Sequence, residues 1–356
     1  KSGQDVSINI VLKGGLILAL ATLIGTLLQW LIQIPLLKKK GLFKFKLKLD
    51  WKNPGVQEVW NIIIPASLSS GMLQINVFTD LFFASNIIGA ASGLSYANFL
   101  VQAPLGIISN SIILPLLPVL SRLKEKKDEK DLTKRIRQGF IFSSASMICL
   151  GAILIALNES ITKVIFGRGV FDNSAINLVR GLLIFYSIGM PAYLIRDLLV
   201  RVFYSLGDSK TPFKLSIIGI ALNIILDWIF IGGSLPFGYK IPISLGANGL
   251  VLATAVVNIF TCMVLLLKLK SKINLIQLKS WLIDFLKLLF CGLLSGLIAW
   301  KVNSFYSEDA YFLLRLLQLL SSTFISLVSF SVVSMFFKIQ ELNEIAKIFK
   351  EKITPH

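Results

Sequence analysis

The sequence predicts an all-α polytopic membrane protein with about nine transmembrane helices. Hydrophobic residues make up 55% of the 356 positions and charged residues only 15%, and the mean hydropathy is +0.76. A soluble domain carries roughly a quarter charged residues. The apolar residues also form long blocks, and a block of about 20 is what a hydrocarbon core of about 30 Å requires. These observations favour one helical bundle over two soluble domains.

Nine apolar blocks are bounded by charges or turn signals. They cover residues 10–36, 58–86, 91–118, 139–158, 178–203, 212–232, 246–267, 282–300 and 312–337. Pro65 and the following small residues interrupt the second block, and Pro104 interrupts the third. Because proline removes a backbone donor, these two spans are expected to bend.

The basic residues predict the orientation of the chain. The formal net charge is +17, and most lysines and arginines lie in alternate loops, at about 37–57, 119–138, 201–214 and 268–279, and in the tail 338–352. By the positive-inside rule these segments are cytoplasmic, so the N-terminus lies outside and the C-terminus inside. The charge is therefore explained by membrane topology, and nucleic acid is not expected as a partner. The tail spaces its apolar residues as an amphipathic helix does, which predicts a helix on the cytoplasmic membrane surface.

Cysteine and histidine usage argues against an enzyme or a structural metal centre. Cys149, Cys262 and Cys291 each lie inside an apolar block without metal-ligand spacing. The only histidine is the last residue, His356, which removes most histidine-based catalysis. We therefore expect no catalytic residue.

Four polar residues inside the apolar blocks are candidates for a cation site. Asp80, Asn223, Asp227 and Thr254 each lie roughly 8–12 Å below the outer surface at 1.5 Å per residue. Two carboxylates, an amide and a hydroxyl at one depth can form an oxygen cage for a monovalent cation or a proton-binding pair, which the backbone carbonyl of Leu250 would complete. The alternative is that the four are separate polar groups, each hydrogen-bonded within the bundle.

The block at 178–203 carries three charged residues near its cytoplasmic end: Arg196, Asp197 and Arg201. Arg201 lies where a long side chain can extend to the interface. Arg196 and Asp197 lie about a turn deeper. They either pair with neighbours or contact an anionic head group.

Four segments together resemble the MurJ/MviN family of lipid II flippases, which is related to the MATE transporters, and cyanobacterial members in particular. They are IPASLSSGMLQINVFTDLFFAS (64–85), SYANFLVQAPLGIISNSIILPLLPVLSRL (95–123), IFGRGVFDNSAINLV (165–179) and RVFYSLGDSKTPFK (201–214). The resemblance covers the whole chain. The family has fourteen spans, arranged as two six-helix lobes and two extra helices.

The resemblance implies a division of this chain. Residues 1–40 would be the last helix of the N-terminal lobe, 41–57 a basic cytoplasmic loop, 58–268 the C-terminal six-helix lobe, 280–337 the two extra helices and 338–356 the amphipathic cytoplasmic tail. The first five spans of the family would then precede Lys1.

The resemblance also implies a function. The two lobes would rock so that a central cavity opens to each side in turn, and the lipid-linked head group would cross to the periplasmic leaflet of the bacterial inner membrane. Asp80, Asn223, Asp227 and Thr254, with Leu250, match the sodium site of the family, so Na⁺ is the expected coupling ion and no other cofactor is expected. Lipid II and membrane lipids are the expected partners of a monomer.

One segment departs from the family pattern. After the tyrosine of SYANFLVQAP, many members have Asp-Arg and then Glu three residues further on, whereas this chain has Asn98, Phe99 and Gln102. A diphosphate contact from this segment is therefore in doubt, and polar lining of the cavity by Asn98 and Gln102 is what remains. Arg196 and Arg201 are the other candidate cavity residues.

Three other functions compete with the flippase. An exporter of the same superfamily would move a drug or another lipid-linked polysaccharide. A membrane-embedded glycosyltransferase would need acidic or histidine clusters at the interface, which the sequence lacks. A channel would need a short pore-lining hairpin, and none is evident.

Overall fold

A computed structural model describes residues 2–41, 52–57, 60, 75–169, 171–232, 245–305, 312–339 and 341–342 of the chain, with side chains from residue 13 onwards. Within these ranges the chain is almost entirely helical and has no β-strand. The helices are α1 Ser2–Lys39, α2 Ile75–Ala84, α3 Ala90–Ile108, α4 Leu114–Glu125, α5 Glu129–Ala156, α6 Asn158–Phe166, α7 Asn173–Ser205, α8 Lys210–Phe230, α9 Ala247–Lys272, α10 Leu278–Ser304 and α11 Phe312–Phe336.

The all-helical membrane fold is confirmed, whereas the count of nine spans is not. Eight helical stretches among the described residues are long and apolar enough to cross a membrane, with α3 and α4 counted as one. The predicted span that is missing from these eight, 58–86, is described almost only over α2, and its residues 61–74 lie outside the described ranges. The basic segment 42–51 and the tail beyond residue 342 also lie outside them.

The chain divides into two compact units, Lys1–Pro65 and Ala66–His356. The first unit contains α1, whose apolar side chains are exposed along its length, including Leu18, Trp30 and Ile32. A helix that is apolar on all faces is typical of a segment surrounded by lipid or by other helices. The second unit contains α2–α11 and every site considered below.

Several helices extend beyond the predicted apolar blocks. The helix α5 begins at Glu129, ten residues before the block at 139–158, where the Asp128 side chain accepts a hydrogen bond from the Asp131 amide at 3.1 Å. The helix α9 continues to Lys272. The apolar blocks measure the hydrocarbon thickness, whereas a helix continues into water until a capping residue ends it.

The span that contains Pro104 is irregular. A π-helical segment, Ser109–Ile113, separates α3 from α4. Prolines lie on both sides of it, Pro104 in α3 and Pro118 in α4. The expected irregularity is therefore present, although it takes the form of a wide turn five residues after Pro104. Single π turns inside helices are frequent at functional sites.

The helix α7 is the centre of the second unit and packs against α3, α5 and α9. Small residues allow the closest approaches. A Cβ added to Gly189 of α7 would lie 2.9 Å from the Cβ of Ala255 on α9. Gly151 of α5 lies equally close to the backbone of α7 at Ser187. In lipid, close backbone packing of this kind replaces the hydrophobic driving force that holds soluble helices together.

The last two helices, α10 and α11, pack on α5 and on each other. Gly292 and Gly296 of α10, four residues apart, face α5, where an added Cβ would lie 2.5 Å from the Ile148 side chain and 3.3 Å from the Ala152 carbonyl oxygen. The helix α11 buries Ser322, Ser326, Phe330 and Ser334, at intervals of four residues. The hydroxyl of Ser326 donates a 3.4 Å hydrogen bond to the carbonyl oxygen of Ser295 on α10.

An ion cluster fastens one end of this helix pair to α5. Arg137 of α5 contacts Asp284 of α10 at 2.9 Å and Glu341 at 2.7 Å, and Lys287 contacts Asp284 at 2.9 Å. Both carboxylates are buried. The neighbouring Ile339, one of the apolar residues of the predicted tail, is 2% exposed and belongs to the main apolar core. The first described residues of the tail therefore pack on the bundle.

Candidate functional site

Four polar side chains from three helices meet inside the second unit, and we call them the oxygen cluster: Asp80, Asn223, Asp227 and Thr254. The amide nitrogen of Asn223 donates hydrogen bonds to Asp227 at 2.7 Å and to Asp80 at 3.3 Å. The hydroxyl of Thr254 donates to the amide oxygen of Asn223 at 3.3 Å. Asn223 therefore joins α2, α8 and α9, and Asn223 and Asp227 are fully buried.

Local sequence explains how these side chains reach one another. Asn223 and Asp227 are four residues apart on α8 and so share a face. Thr254 lies two turns into α9, a helix that packs along α8. Leu250 lies one turn before Thr254, and its side chain is buried in a small apolar cluster with Ala84 and Ala90. The participation of its carbonyl oxygen in a cation site stays a prediction.

The oxygen cluster carries two carboxylates without a compensating cation among the described residues. No described lysine, arginine or histidine forms a salt bridge with Asp80 or Asp227. The Oδ1 atom of Asp227 is buried and has no hydrogen-bond partner there. Because a buried, unpaired carboxylate is costly, this arrangement fits a bound monovalent cation or a proton. Within the described residues no three His, Cys, Asp or Glu side chains converge as they would at a transition-metal site.

The oxygen cluster borders a cavity of about 380 Å³ between α2, α3, α7, α8 and α9. Asp80, Asn223 and Thr254 are among its lining residues, whereas Asp227 and Leu250 are not. The predicted cavity residues Asn98 and Gln102 also line it, from α3, as does Arg196 from α7. One cavity is therefore bordered by three of the five candidate cation ligands and by three of the four candidate substrate contacts.

The two arginines of α7 have different surroundings. Arg196 lines the cavity, and its Nε atom is buried without a hydrogen-bond partner among the described residues. Arg201 is not among the lining residues and pairs with Asp197 at 3.3 Å. Asp197 also accepts a 2.9 Å hydrogen bond from Ser109, the first residue of the π-helical segment. Arg201 and Asp197 therefore pair with each other, whereas Arg196 faces the cavity. Contact between Arg196 and an anionic head group stays a prediction.

Sequence reasoning missed several residues of this cavity. Asn258 and Thr261 line it from α9, and Tyr186 and Tyr193 line it from α7. Thr254, Asn258 and Thr261 are spaced by four and three residues, which places them on one helical face. That polar stripe in an apolar span was a usable signal, whereas nothing in the sequence distinguishes the two tyrosines from interfacial ones.

Comparison with known proteins identifies the family. The family model described as "Lipid II flippase MurJ" matches residues 5–338. The probable lipid II flippase MurJ of Synechocystis sp. is 44% identical over 290 residues, which is 82% of this chain and 52% of that protein. The corresponding protein of Vibrio cholerae is 30% identical over 81% of this chain and 53% of its own length. The chain thus spans about half the length of these curated relatives.

Solved structures show a similar fold. A lipid II flippase MurJ in an inward closed conformation aligns over 84% of this chain and 57% of its own, with a TM-score of 0.62 and 23% identity. An outward-facing MATE family multidrug transporter aligns over 82% of this chain and 67% of its own, with a TM-score of 0.51 and 16% identity. The family match over almost the whole chain and the 30–44% identical relatives show that the chain belongs to the MurJ family of lipid II flippases.

Proposed function

We propose that this chain contributes the cavity-forming helices and a cation-binding site to a flippase that moves lipid II from the cytoplasmic to the periplasmic leaflet. Curated relatives named as lipid II flippases support the substrate class. The observation that carries the proposal is the cavity inside an apolar bundle whose lining includes Asp80, Asn98 and Arg196. A buried polar cavity among membrane helices is the usual place for a transported polar group.

The lining residues suggest how the cavity would receive the substrate. Arg196 supplies a guanidinium, which binds phosphate through paired N–H donors. Asn98 and Gln102 on α3, across from it, supply amide donors and acceptors for the sugar and peptide parts of a head group. The cavity of about 380 Å³ is small for the whole lipid II head group. In this conformation it would therefore hold only part of the substrate.

The oxygen cluster would couple transport to a cation. Asp80, Asn223, Asp227 and Thr254, completed by the carbonyl of Leu250, would hold a monovalent cation such as Na⁺, which supplies neutralising charge to the two carboxylates. Asn223 holds the side chains of α2 and α8 together, and Thr254 extends the connection to α9. The relative positions of these helices are therefore tied to the protonation or occupancy of one site, as a coupled transporter requires.

The protein is an integral membrane protein, and we place it as a monomer in the bacterial inner membrane. The basic link between α4 and α5, around Arg122–Lys134, lies at the opposite end of α5 from α6. That end is cytoplasmic by the positive-inside rule. The C-terminal end of α11 then lies on the cytoplasmic side as well.

Depletion of the protein in its own host tests the proposal. A lipid II-cleaving enzyme that cannot cross the membrane, added from outside, should cleave much less lipid II after depletion, and restoring the gene should restore cleavage. Unchanged cleavage would contradict the proposal. Unchanged cleavage together with loss of a drug-export phenotype or of another surface polysaccharide would instead favour the alternative exporter.

A further inference from the structure

A second cavity lies away from the first, where α6 meets the beginning of α11. It has a volume of about 430 Å³, and we call it the α6–α11 pocket; it is lined by Lys163, Val164, Gly167, Arg168, Phe312 and Arg315. The helix α5 ends and α11 begins at this end of the bundle, whereas α5 begins at the other end, beside the basic link. The pocket therefore lies at the end of the spans that the charge distribution places outside.

Three cationic side chains line the pocket. Lys163 contacts Glu159 at 2.7 Å, and the same carboxylate contacts Arg180 at 2.7 Å. This pairing with Lys163 holds the pKa of Glu159 below its ordinary value, so the carboxylate stays ionised. Arg168 has no carboxylate within salt-bridge distance among the described residues. The described lining of the pocket contributes three basic side chains, Lys163, Arg168 and Arg315, and no carboxylate.

The arginine without a carboxylate is held in place by an aromatic ring. The guanidinium carbon of Arg168 lies 4.7 Å from the centre of the Phe312 ring, a cation–π contact. A weak hydrogen bond at 3.5 Å connects its Nη2 atom to the Val164 carbonyl oxygen. The remaining N–H donors of a stacked guanidinium are available in a fixed plane, which is the geometry that binds phosphate through two parallel hydrogen bonds.

The surface next to the pocket is apolar and points to a lipid. Leu313, Leu317, Leu320 and Phe324 of α11 are each more than half exposed, and their spacing of four, three and four residues places them on one face. The stripe extends about 16 Å along the helix from the pocket. A cationic pocket at the end of a span with an apolar stripe leading from it matches a lipid with a phosphate-bearing head group and acyl chains.

We propose that the α6–α11 pocket binds the phosphate group of an anionic lipid in the outer leaflet, with Arg168 and Arg315 as the main contacts and the acyl chains along the leucine stripe of α11. This site is separate from the polar cavity between α2, α3, α7, α8 and α9, and shares no lining residue with it. It does not depend on the proposed transport function. It would anchor the α10–α11 pair against the lobe through a lipid.

Binding of phosphatidylglycerol to the purified protein tests the proposal, with native mass spectrometry and melting temperature as readouts. Wild-type protein should retain phosphatidylglycerol and melt at a higher temperature than in phosphatidylcholine alone. The variant R168Q/R315Q should bind phosphatidylglycerol at least tenfold more weakly, which corresponds to about 1.4 kcal/mol. Equal binding by wild type and the double variant would overturn the proposal.

Lys301 offers a matched control at the same end of the bundle, because its ammonium also lies over a ring, 5.3 Å from the centre of Phe305, outside the pocket. K301Q should bind the lipid as wild type does. Arg168 is exposed, so the single variant R168Q preserves the test if the double variant fails to fold. An equal loss of binding in K301Q would show a diffuse effect of charge and would overturn the assignment.

Two further experiments test whether the pocket binds a lipid phosphate or a free anion, and whether its arginines make the contact. Inorganic phosphate or pyrophosphate that binds to wild type but not to R168Q, without any binding of phosphatidylglycerol, would overturn the lipid assignment in favour of a free anion. The sequence carries Glu308 and Asp309 just before Phe312, in a segment outside the described residues. The variant E308Q/D309N should bind the lipid at least as tightly as wild type, and weaker binding would contradict the role given to the arginines.

Discussion

Two buried polar clusters in the second unit differ in how their charges are balanced. In the ion cluster, Arg137 and Lys287 contact Asp284 and Glu341 at 2.7–2.9 Å, so that two positive charges meet two negative ones. In the oxygen cluster, Asp80 and Asp227 accept hydrogen bonds from the Asn223 amide and form no salt bridge among the described residues. Among the described residues, the charges of the first cluster cancel and those of the second do not; the proposed cation, or a proton, would balance the second.

The difference in charge balance suggests different roles for the two clusters, one in stability and the other in ligand binding. A balanced cluster contributes to stability and is costly to break, because either partner left alone is a buried, uncompensated charge. An unbalanced cluster does not stabilise the empty protein, and its retention inside an apolar bundle points to a ligand. Arg196 is the positive counterpart of the oxygen cluster, since it faces the same cavity without a carboxylate within salt-bridge distance among the described residues.

The largest expected effect comes from neutralising the oxygen cluster. In D80N/D227N, the sodium-dependent rise in melting temperature should disappear, because the stabilisation that a bound ligand contributes is lost with its site. In sodium-free buffer the same variant should melt no lower than wild type, since it removes two neighbouring like charges. Thermal unfolding of the purified protein with and without sodium measures both effects.

The exposed Glu125, at the end of α4, provides the control for this prediction. E125Q changes the net charge without touching the cluster and should keep the full sodium response. A sodium response that persists in D80N/D227N would exclude these carboxylates as cation ligands.

Breaking the ion cluster should lower the stability of the protein without changing its response to sodium. R137M leaves Asp284 and Glu341 without their shared partner, and we expect a loss of about 3 kcal/mol in the free energy of unfolding, the lower end of the range for a buried pair. The lower end applies because the Arg137 side chain is 25% exposed. The loss should be the same with and without sodium.

Arg135, on the same helix, donates a 3.1 Å hydrogen bond to the Gln138 side chain and forms no salt bridge among the described residues. R135M should therefore be nearly neutral. Equal destabilisation by R135M and R137M would mean that the loss reflects the basic loop as a whole rather than the contacts to α10 and the tail.

A smaller effect is expected for the arginine that faces the cavity. R196Q should weaken binding of lipid II to the purified protein by about tenfold, or ~1.4 kcal/mol, because it removes a charge-assisted contact to phosphate. Its melting temperature in the absence of lipid should not fall, since the charge has no carboxylate to lose.

Arg201 is the natural comparison for Arg196, being five residues later on the same helix. R201Q breaks the contact to Asp197 and should lower stability more than lipid binding. The reverse result, with binding lost in R201Q and kept in R196Q, would exchange the roles assigned to the two arginines.

The smallest effect is expected at a partly exposed ion pair. Lys272 contacts Asp208, in the link between α7 and α8, at 2.8 Å, and together with Thr211 it holds the pKa of Asp208 well below its ordinary value. A carboxylate with a lowered folded-state pKa stabilises the fold above its unfolded pKa of about 3.9, and the contribution is lost as the pH falls through the lower folded value.

D208N should therefore be less stable than wild type at pH 7 by about 0.5 kcal/mol, the scale of an exposed pair, and the difference should shrink on acidification. Denaturation at several pH values measures this. A difference that grows towards low pH would show that Asp208 stabilises the protein through something other than its charge.

The positions of the membrane helices were predictable because placing polar or charged groups in the hydrocarbon core of a bilayer is costly. The apolar blocks located every span that the described residues include, and the depth of Asp80, Asn223, Asp227 and Thr254 in their spans predicted a common level in the membrane. The structure joins these four residues by hydrogen bonds. Cation binding by them, and the division of the chain into a lobe and an extra helix pair, stay predictions.

Contacts between particular helices could not be predicted, because a single sequence does not indicate which helices pack together. Gly292 and Gly296 formed a visible small-xxx-small pattern, but only the structure shows that α5 is the helix packed against it. The contact between Arg137 and Asp284 could not be predicted, since 147 residues separate them and nothing local in the sequence indicates that they meet. The π-helical segment Ser109–Ile113 was not located either: Pro104 predicted a bend, but the irregular turn begins five residues later.

The sequence by itself predicted the apolar segments that the described residues show as long helices, and it identified the few polar groups that lie within them. It could do so because the cost of placing charge in hydrocarbon depends on depth along one chain. The orientation that the basic loops give these helices stays a prediction. Only the tertiary structure decided which charges are paired and which are left facing a cavity. Pairing depends on the rotation and proximity of helices far apart in the chain, and these are set by close contacts such as that between Gly189 and Ala255.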